Sequence, residues 1–283
     1  MDSLFQNITV EHIQAFIPYL RQEERAEGTL EKYVRDLSAF AQWLENAPVT
    51  KEAATAWKKH LLQTGYAPCT INSMLAALNT FFRFMGWTDC QIKFLKIQRR
   101  LFRDANREMS REEYTRLLKT ARMLGRERLA LLMETIGATG IRVSEVKYIT
   151  LETVRRGQAE ISLKGKIRTI FLPKKLCEKL QKYARKNKIA SGEIFLTGSG
   201  KSLGRRQIWA EMKRLCAKAG VEPGKVFPHN LRHLFATEFH RVCKDISRLA
   251  DVLGHSSVET TRIYLQTTGY EHRRILEGLG FVT

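Results

Sequence analysis

The chain has 283 residues, enough for two domains that each bury a core, and its 43% hydrophobic and 27% charged residues contain no apolar run near the roughly 18 residues of a membrane span. Cys69, Cys90, Cys177, Cys216 and Cys243 are odd in number and form no CxxC pair, which argues against a disulfide framework and a thiolate zinc site. A formal charge of +19 points to a polyanionic partner, with nucleic acid ahead of a membrane surface or a ribosome-like particle.

The opening MDSLFQNITVEH lacks the basic-then-apolar signature of a secretory signal, so a cytoplasmic protein is expected. Four helices are predicted next. VEHIQAFIPYLRQ follows Thr9 as N-cap and carries Val10, Ile13, Phe16, Ile17 and Leu20 on one stripe. LEKYVRDLSAFAQWL follows Thr29, KEAATAWKKHLLQ follows Thr50, and a fourth helix runs from about Thr70 to Met85, with Gly28, Gly65 and Pro68 punctuating the joins. Short helices with short loops make a compact helical module over residues 1–92.

A basic linker, 93–108, places Lys93, Lys96, Arg99, Arg100, Arg103 and Arg107 close together without an apolar period. Such a charge run reads either as a solvated connection or as a strap along phosphates, and both readings stand.

Residues 109–283 hold most of the positive field, with 34 basic and 17 acidic side chains against 14 and 12 in residues 1–108. SREEYTRLLKTARML and RERLALLMETIG read as helices, and RVSEVKYI opens a third after Gly140. AEISL and RTIFL, joined by Lys164-Gly165-Lys166, alternate as an antiparallel hairpin with its tip at Gly165. KKLCEKLQKYARKN, RRQIWAEMKRLCAKAG, LRHLFATEFHRV behind Pro228, DISRLADVL and a last helix holding Tyr264 complete a mainly α domain with one small antiparallel sheet.

Pro228 suits a first helical turn, so His229 and Arg232 share a face at a helix N-terminus, where free N–H groups favour an anion. Leu231, Leu234, Phe235, Phe239 and Val242 face the core instead. His229 and His233 also imitate a zinc pair, yet Asn230 stands where HExxH requires Glu and Arg232 sets a positive charge beside the metal, so no metal is expected. Solvated or core histidines are the structural alternative. In LGHSSVETTRIYLQ, Gly254 ends one helix and Ser256 with Glu259 forms a capping box, which leaves His255 in a joint and Tyr264 about two turns on. Val258, Thr261, Ile263 and Leu265 make a poor stripe, so Tyr264 is not an obvious core position, and a structural and a chemical tyrosine are both open.

Arg142 sits where a helix restarts after a glycine, and Lys164 can swing at a hairpin tip; ordinary surface charge explains either. Together these arginines, lysine, histidines and tyrosine are nonetheless a kit for attacking a phosphodiester: a nucleophile, guanidinium clamps, and proton donors and acceptors.

GATGIRVSEV, LKGKIRTIFLP, HNLRHLFAT and LGHSSVETTRIYLQ, in this order, resemble the four signature segments of the tyrosine recombinases, or phage-integrase-type site-specific recombinases. TLEKYVRDLSAFAQWL and TINSMLAALNTFFRFMGW are similar to that family's core-binding domain. The resemblance implies a two-domain clamp on double-stranded DNA, with a helical core-binding SAM-like domain at 1–92 and a catalytic domain at 109–283, in a Xer-like form without an arm-binding domain. It makes Arg142, Lys164, His229, Arg232 and His255 catalytic, Tyr264 the nucleophile and Glu145 a supporting residue. KGKIRT is one residue shorter than the usual motif, so Lys166 competes with Lys164. The implied reaction runs through a 3′-phosphotyrosyl link without metal, ATP or cofactor, in a homotetramer on two DNA sites. The implied assembly passes YEHRRILEGLGFVT, with Ile275, Leu276, Leu279, Phe281 and Val282, to a neighbour. Integration or excision of a mobile element, resolution of DNA dimers and inversion all fit. A type IB topoisomerase and a non-catalytic DNA-binding protein are the rivals.

Overall fold

A computed structural model of the chain describes residues 6–97, 107–163, 166–265, 273–274 and 277–279. The chain divides into two compact units, Met1–Arg99 and Arg100–Thr283.

In the first unit, α1 (Val10–Gln22), α2 (Glu27–Leu44), α3 (Lys51–Gln63) and α4 (Pro68–Phe84) turn their apolar stripes onto one core. Thr9 and Thr50 act as expected, each side chain accepting from the backbone N–H three residues on. Two starts differ from expectation. α2 begins at Glu27, with Gly28 inside the helix and Thr29 in its first turn, because extended Ala26 provides the turn-in and Glu27 complements the helix dipole. α4 begins at Pro68, whose fixed φ and missing N–H cost nothing at the first position. Phe16, Phe40, Trp57, Phe81 and Phe82 fill the centre.

The segment after α4 is held by its main chain. Asn79 Oδ1 accepts from Ile92 N (3.0 Å) while its Nδ2 donates to Ile92 O (2.8 Å), and Asn72 does the same at Leu95 N (2.7 Å) and O (2.9 Å). Lys58 Nζ donates to the Lys93 carbonyl (3.1 Å).

In the second unit, α5 (Arg111–Met123) and α6 (Glu127–Thr139) pack together, and a 3-10 helix (Val143–Tyr148) leads through α7 (Leu151–Arg156) to an antiparallel pair, β1 (Gln158–Leu163) and β2 (Lys166–Phe171). The expected third α-helix is this 3-10 segment, because the Glu145 carboxylate caps the Arg142 N–H and tightens the turn. The hairpin tip at Lys164 and Gly165 lies outside the described residues. After α8 (Lys174–Lys186), the single helix expected from RRQIWAEMKRLCAKAG is split into α9 (Arg205–Lys213) and α10 (Cys216–Ala219), which ends on Gly220 at φ +60°.

α11 (Pro228–Cys243) packs on α6, and α12 (Ile246–Leu253) stops at Gly254 in the left-handed region, as expected. α13 (Val258–Thr261) is one turn long and passes into a 3-10 turn, Arg262–Leu265. Its cap is Ser257, which accepts from Glu259 N, rather than a Ser256–Glu259 box, and the Glu259 carboxylate bonds Arg262 instead. Val242, expected in the core, is 82% exposed, because the inward face of α11 runs through Leu231, Arg232 and Ala236. Most of YEHRRILEGLGFVT, and with it the expected docking of that segment, lies outside the described residues.

Candidate active site

The end of α6, the start of α11 and the end of α12 bring the site together. α6 ends at Gly140, where φ is +65° and an added Cβ would stand 2.4 Å from the Phe235 ring, so only glycine fits. Arg142 follows directly. The Glu145 carboxylate accepts from the Arg142 backbone N (Oε2, 2.7 Å) and from its guanidinium (Oε1, 2.9 Å). At 1% exposure this carboxylate needs compensation, and a second guanidinium, Arg168 Nη2, supplies it at Oε2 (2.5 Å).

α11 brings the next group. Asn230 fixes its start by donating to the carbonyls of Arg107 (2.8 Å) and Lys225 (2.7 Å). Arg232, 2% exposed, donates through Nη1 to Gly140 O (2.6 Å) and through Nη2 to Leu253 O (2.8 Å) and His255 Nε2 (2.9 Å). Burial, and then the charge of Arg142, lower its pKa, but a guanidinium stays charged in a protein.

A guanidinium only donates, so His255 Nε2 is the acceptor and the ring proton sits on Nδ1, 2.9 Å from Thr261 Oγ1. Burial, followed by the charges of Arg232 and Arg142, pulls the His255 pKa down to about 4, so this imidazole is neutral at pH 7. His229 is shifted the same way by desolvation and the same two arginines.

Its poor stripe makes Tyr264 no obvious core position, yet the structure buries it. It is 2% exposed and packs with Ala236, Leu249 and Leu253 beside Phe235 and Phe239, partners that α11 and α12 supply rather than its own helix. Its ring stacks on His255 (5.9 Å between centroids, 13°), meets His233 edge-on (5.0 Å) and lies 6.4 Å from His229. A cleft of about 580 Å³ opens beside these groups, lined in part by Arg142, His229, Arg232, Arg205, Arg206 and Trp209.

Arg142, Glu145, His229, Arg232, His255 and Tyr264 therefore converge, while Lys164 lies outside the described residues. Lys93 and Lys96 are exposed in the first unit and Arg107 is exposed in the second; Arg99, Arg100 and Arg103 are outside the described residues. Among the described residues no cluster of histidine, cysteine or carboxylate side chains is arranged to hold a metal, and no helix is long and apolar enough to cross a membrane. Sequence reasoning passed over Arg168, Arg205, Arg206 and Trp209. For Arg168 a signal existed: it shares a face of β2 with buried Ile170, while Ile167 and Phe171 on the other face are each 74% exposed.

Residues 107–270 match the model of the Phage integrase family, and residues 13–88 that of the phage integrase N-terminal SAM-like domain. The tyrosine recombinase XerA of Thermococcus kodakarensis is 30% identical over 273 residues, 93% of either chain. The XerH site-specific recombinase bound to a palindromic difH substrate in a post-cleavage complex is similar in fold, with a TM-score of 0.72 at 20% identity, covering 89% of this chain and 79% of that one. So is lambda integrase, solved as a tetramer bound to a Holliday junction, with a TM-score of 0.70 at 18% identity over 91% of this chain and 77% of that one.

Proposed function

We infer the reaction from one premise: this chain belongs to the phage integrase family. It is a tyrosine recombinase, a site-specific enzyme that breaks and rejoins DNA strands through a phosphotyrosyl link. The observation that carries the assignment of roles is a convergence. Arg142 and Arg232 meet at adjacent carbonyls, Gly254 O and Leu253 O, and His255, the next residue, stacks on Tyr264.

In this reading the Tyr264 oxygen attacks the scissile phosphorus as the bond to the 5′-oxygen breaks, leaving a 3′-phosphotyrosyl ester and a 5′-hydroxyl. The tyrosine proton passes to neutral His229, and Lys164 protonates the departing oxygen. Arg142 and Arg232 hold the non-bridging oxygens, each such contact contributing on the order of 10² to 10³ in rate. His255 begins with Nε2 occupied by Arg232. The Thr261 hydroxyl can donate as well as accept, so the imidazole can shift its proton to Nε2 and offer it to phosphate once phosphate has taken the guanidinium. Tyr264 is 2% exposed, so DNA has to uncover it. The short 3-10 turn that carries it, Arg262–Leu265, leaves little to unwind.

Duplex DNA is the partner. Lys93, Lys96 and Arg107, with the linker arginines, run along its backbone, and four copies on two sites carry out the exchange, as supported by the tetramer of lambda integrase. The test is covalent capture. Sheared DNA of the source genome is incubated with the protein, denatured, and the protein-linked ends are sequenced. Recurrent ends with wild type and none with Tyr264→Phe are expected. Adducts that survive the substitution remove Tyr264 as nucleophile, and adducts scattered without a recurrent sequence, with relaxation of any plasmid, would make the chain a swivelling topoisomerase.

A further inference from the structure

The last turn of a helix leaves carbonyls without intrahelical donors, and the negative end of its dipole favours cations. At the end of α12 successive carbonyls are each taken by a different arginine. Val252 O accepts from Arg168 Nη1 (2.8 Å), Leu253 O from Arg232 Nη2 (2.8 Å) and Gly254 O from Arg142 Nη2 (3.4 Å). Arg142 and Arg232 belong to the site already described. Arg168 has no role in the reaction as written above, yet it is held as firmly as either of them.

Its other terminal nitrogen, Nη2, bonds Glu145 Oε2 (2.5 Å), the carboxylate whose second oxygen holds Arg142. Its stem is pressed on Gly254, where an added Cβ would stand 2.4 Å from Arg168 Cδ, so glycine is required there for a second reason besides its φ of +64°. Its Nε is buried without a hydrogen-bond partner among the described residues, and a buried donor left unmade is costly. A side chain serving stability alone would be better replaced by a hydrocarbon on that inward strand face. What arginine offers is a planar fork whose nitrogens reach a carboxylate and a carbonyl at once, which a lysine ammonium on a single point cannot do.

We propose that Arg168 is a positioning residue of the phosphate site: by tying β2 to both Glu145 and the Val252 carbonyl near the end of α12, it sets where Arg142 and His255 stand. The proposal rests on the reading above, in which Arg142 and His255 act on the scissile phosphate. Arg168 touches neither DNA nor the reacting atoms in this role. Its effect is transmitted through one carboxylate on one side and one helix end on the other.

The test uses the full-length protein and a nicked duplex built on the captured sequence, with an ordinary phosphate or a neutral methylphosphonate at the scissile position. Arg168→Lys keeps a positive charge opposite Glu145 but forfeits one of the two hydrogen-bonded partners. It is expected to bind the duplex within about twofold of wild type and to lower single-turnover cleavage at saturating protein on the order of 10²-fold. On the methylphosphonate, which places less negative charge before Arg142 and Arg232, the gap between variant and wild type should shrink to a few fold. Glu145→Gln is the second variant. If both residues act along one route, the double variant loses less than the product of the two single defects, as coupled residues do.

Cleavage at the wild-type rate, or an equal deficit on both substrates accompanied by a fallen melting temperature, overturns the proposal and leaves Arg168 as a packing residue. If wild type itself forms no adduct on either substrate, the assigned reaction fails first and takes this inference with it.

Discussion

Around α4 the buried volume is taken up by Phe16, Phe40, Trp57, Phe81 and Phe82; around the end of α12 it is taken up by Arg232, Glu145 and Tyr264. Both places are buried, and they are held by opposite means. Aromatic rings need only shape and area, so each contributes largely on its own account. The charged groups must each be satisfied by a partner, so Glu145 depends on Arg142 and Arg168, and Arg232 on the carbonyls of Gly140 and Leu253. A region built in the second way is costly in desolvation, and its return is a set of cations held in place for an anion.

Substitutions can press on that contrast. The effect expected in the aromatic region is a loss of stability: Phe81→Ala should cost about 3–5 kcal/mol in denaturant unfolding of the full chain, as buried aromatic deletions do. A cost below about 1 kcal/mol would mean the ring is not the packing element described. Arg232→Met leaves the carbonyls of Gly140 and Leu253 without these donors, at about 1–3 kcal/mol for each, and in addition should lower single-turnover cleavage about 10²- to 10³-fold, a loss Phe81→Ala does not make at saturating folded protein. Equal losses in the two quantities would erase the distinction between the regions.

Acid should act on the charged region first. The folded-state pKa of His255 is about 4 against an ordinary 6.5, so between those values the unfolded chain binds the extra proton and stability falls as pH falls through that window. His229 contributes with the same sign. Melting followed from pH 7 to 4 should show the decline, and His255→Asn should flatten part of it. Asn72→Ala and Asn79→Ala should each cost about 0.5–1.5 kcal/mol, the ordinary worth of hydrogen bonds removed near a surface, with cleavage chemistry unchanged. Smallest of all, Lys93→Ala and Lys96→Ala should leave melting alone and reduce the salt dependence of DNA binding by about 0.9 in log–log slope for each phosphate no longer neutralised.

The same contrast explains what was legible in the sequence. Helical period placed Phe16 and Leu20 inward on α1, and the Thr9 and Thr50 caps, the β1–β2 pair and the stop at Gly254 all follow from local chemistry. The sequence leaves Tyr264 open between a structural and a chemical role because its companions, Ala236, Leu249 and Leu253, arrive from other helices, where periodicity carries no information. Val242 was misjudged because an arginine, not an apolar residue, occupies the inward line of α11. The motifs brought Arg142, Arg232 and His255 forward, whereas Arg168 was passed over because an arginine on a half-buried strand reads as surface charge until its carboxylate partner is seen.

In the first unit, Asn72, Asn79 and Lys58 all grip main-chain atoms of residues 92–95, and none of them reads a side chain. Exposed Lys93, Phe94, Lys96 and Ile97 are thus mounted on a track whose register does not depend on their identity. For an engineer this makes the segment a place to retune affinity or sequence preference residue by residue, with the backbone that presents each new side chain already in place.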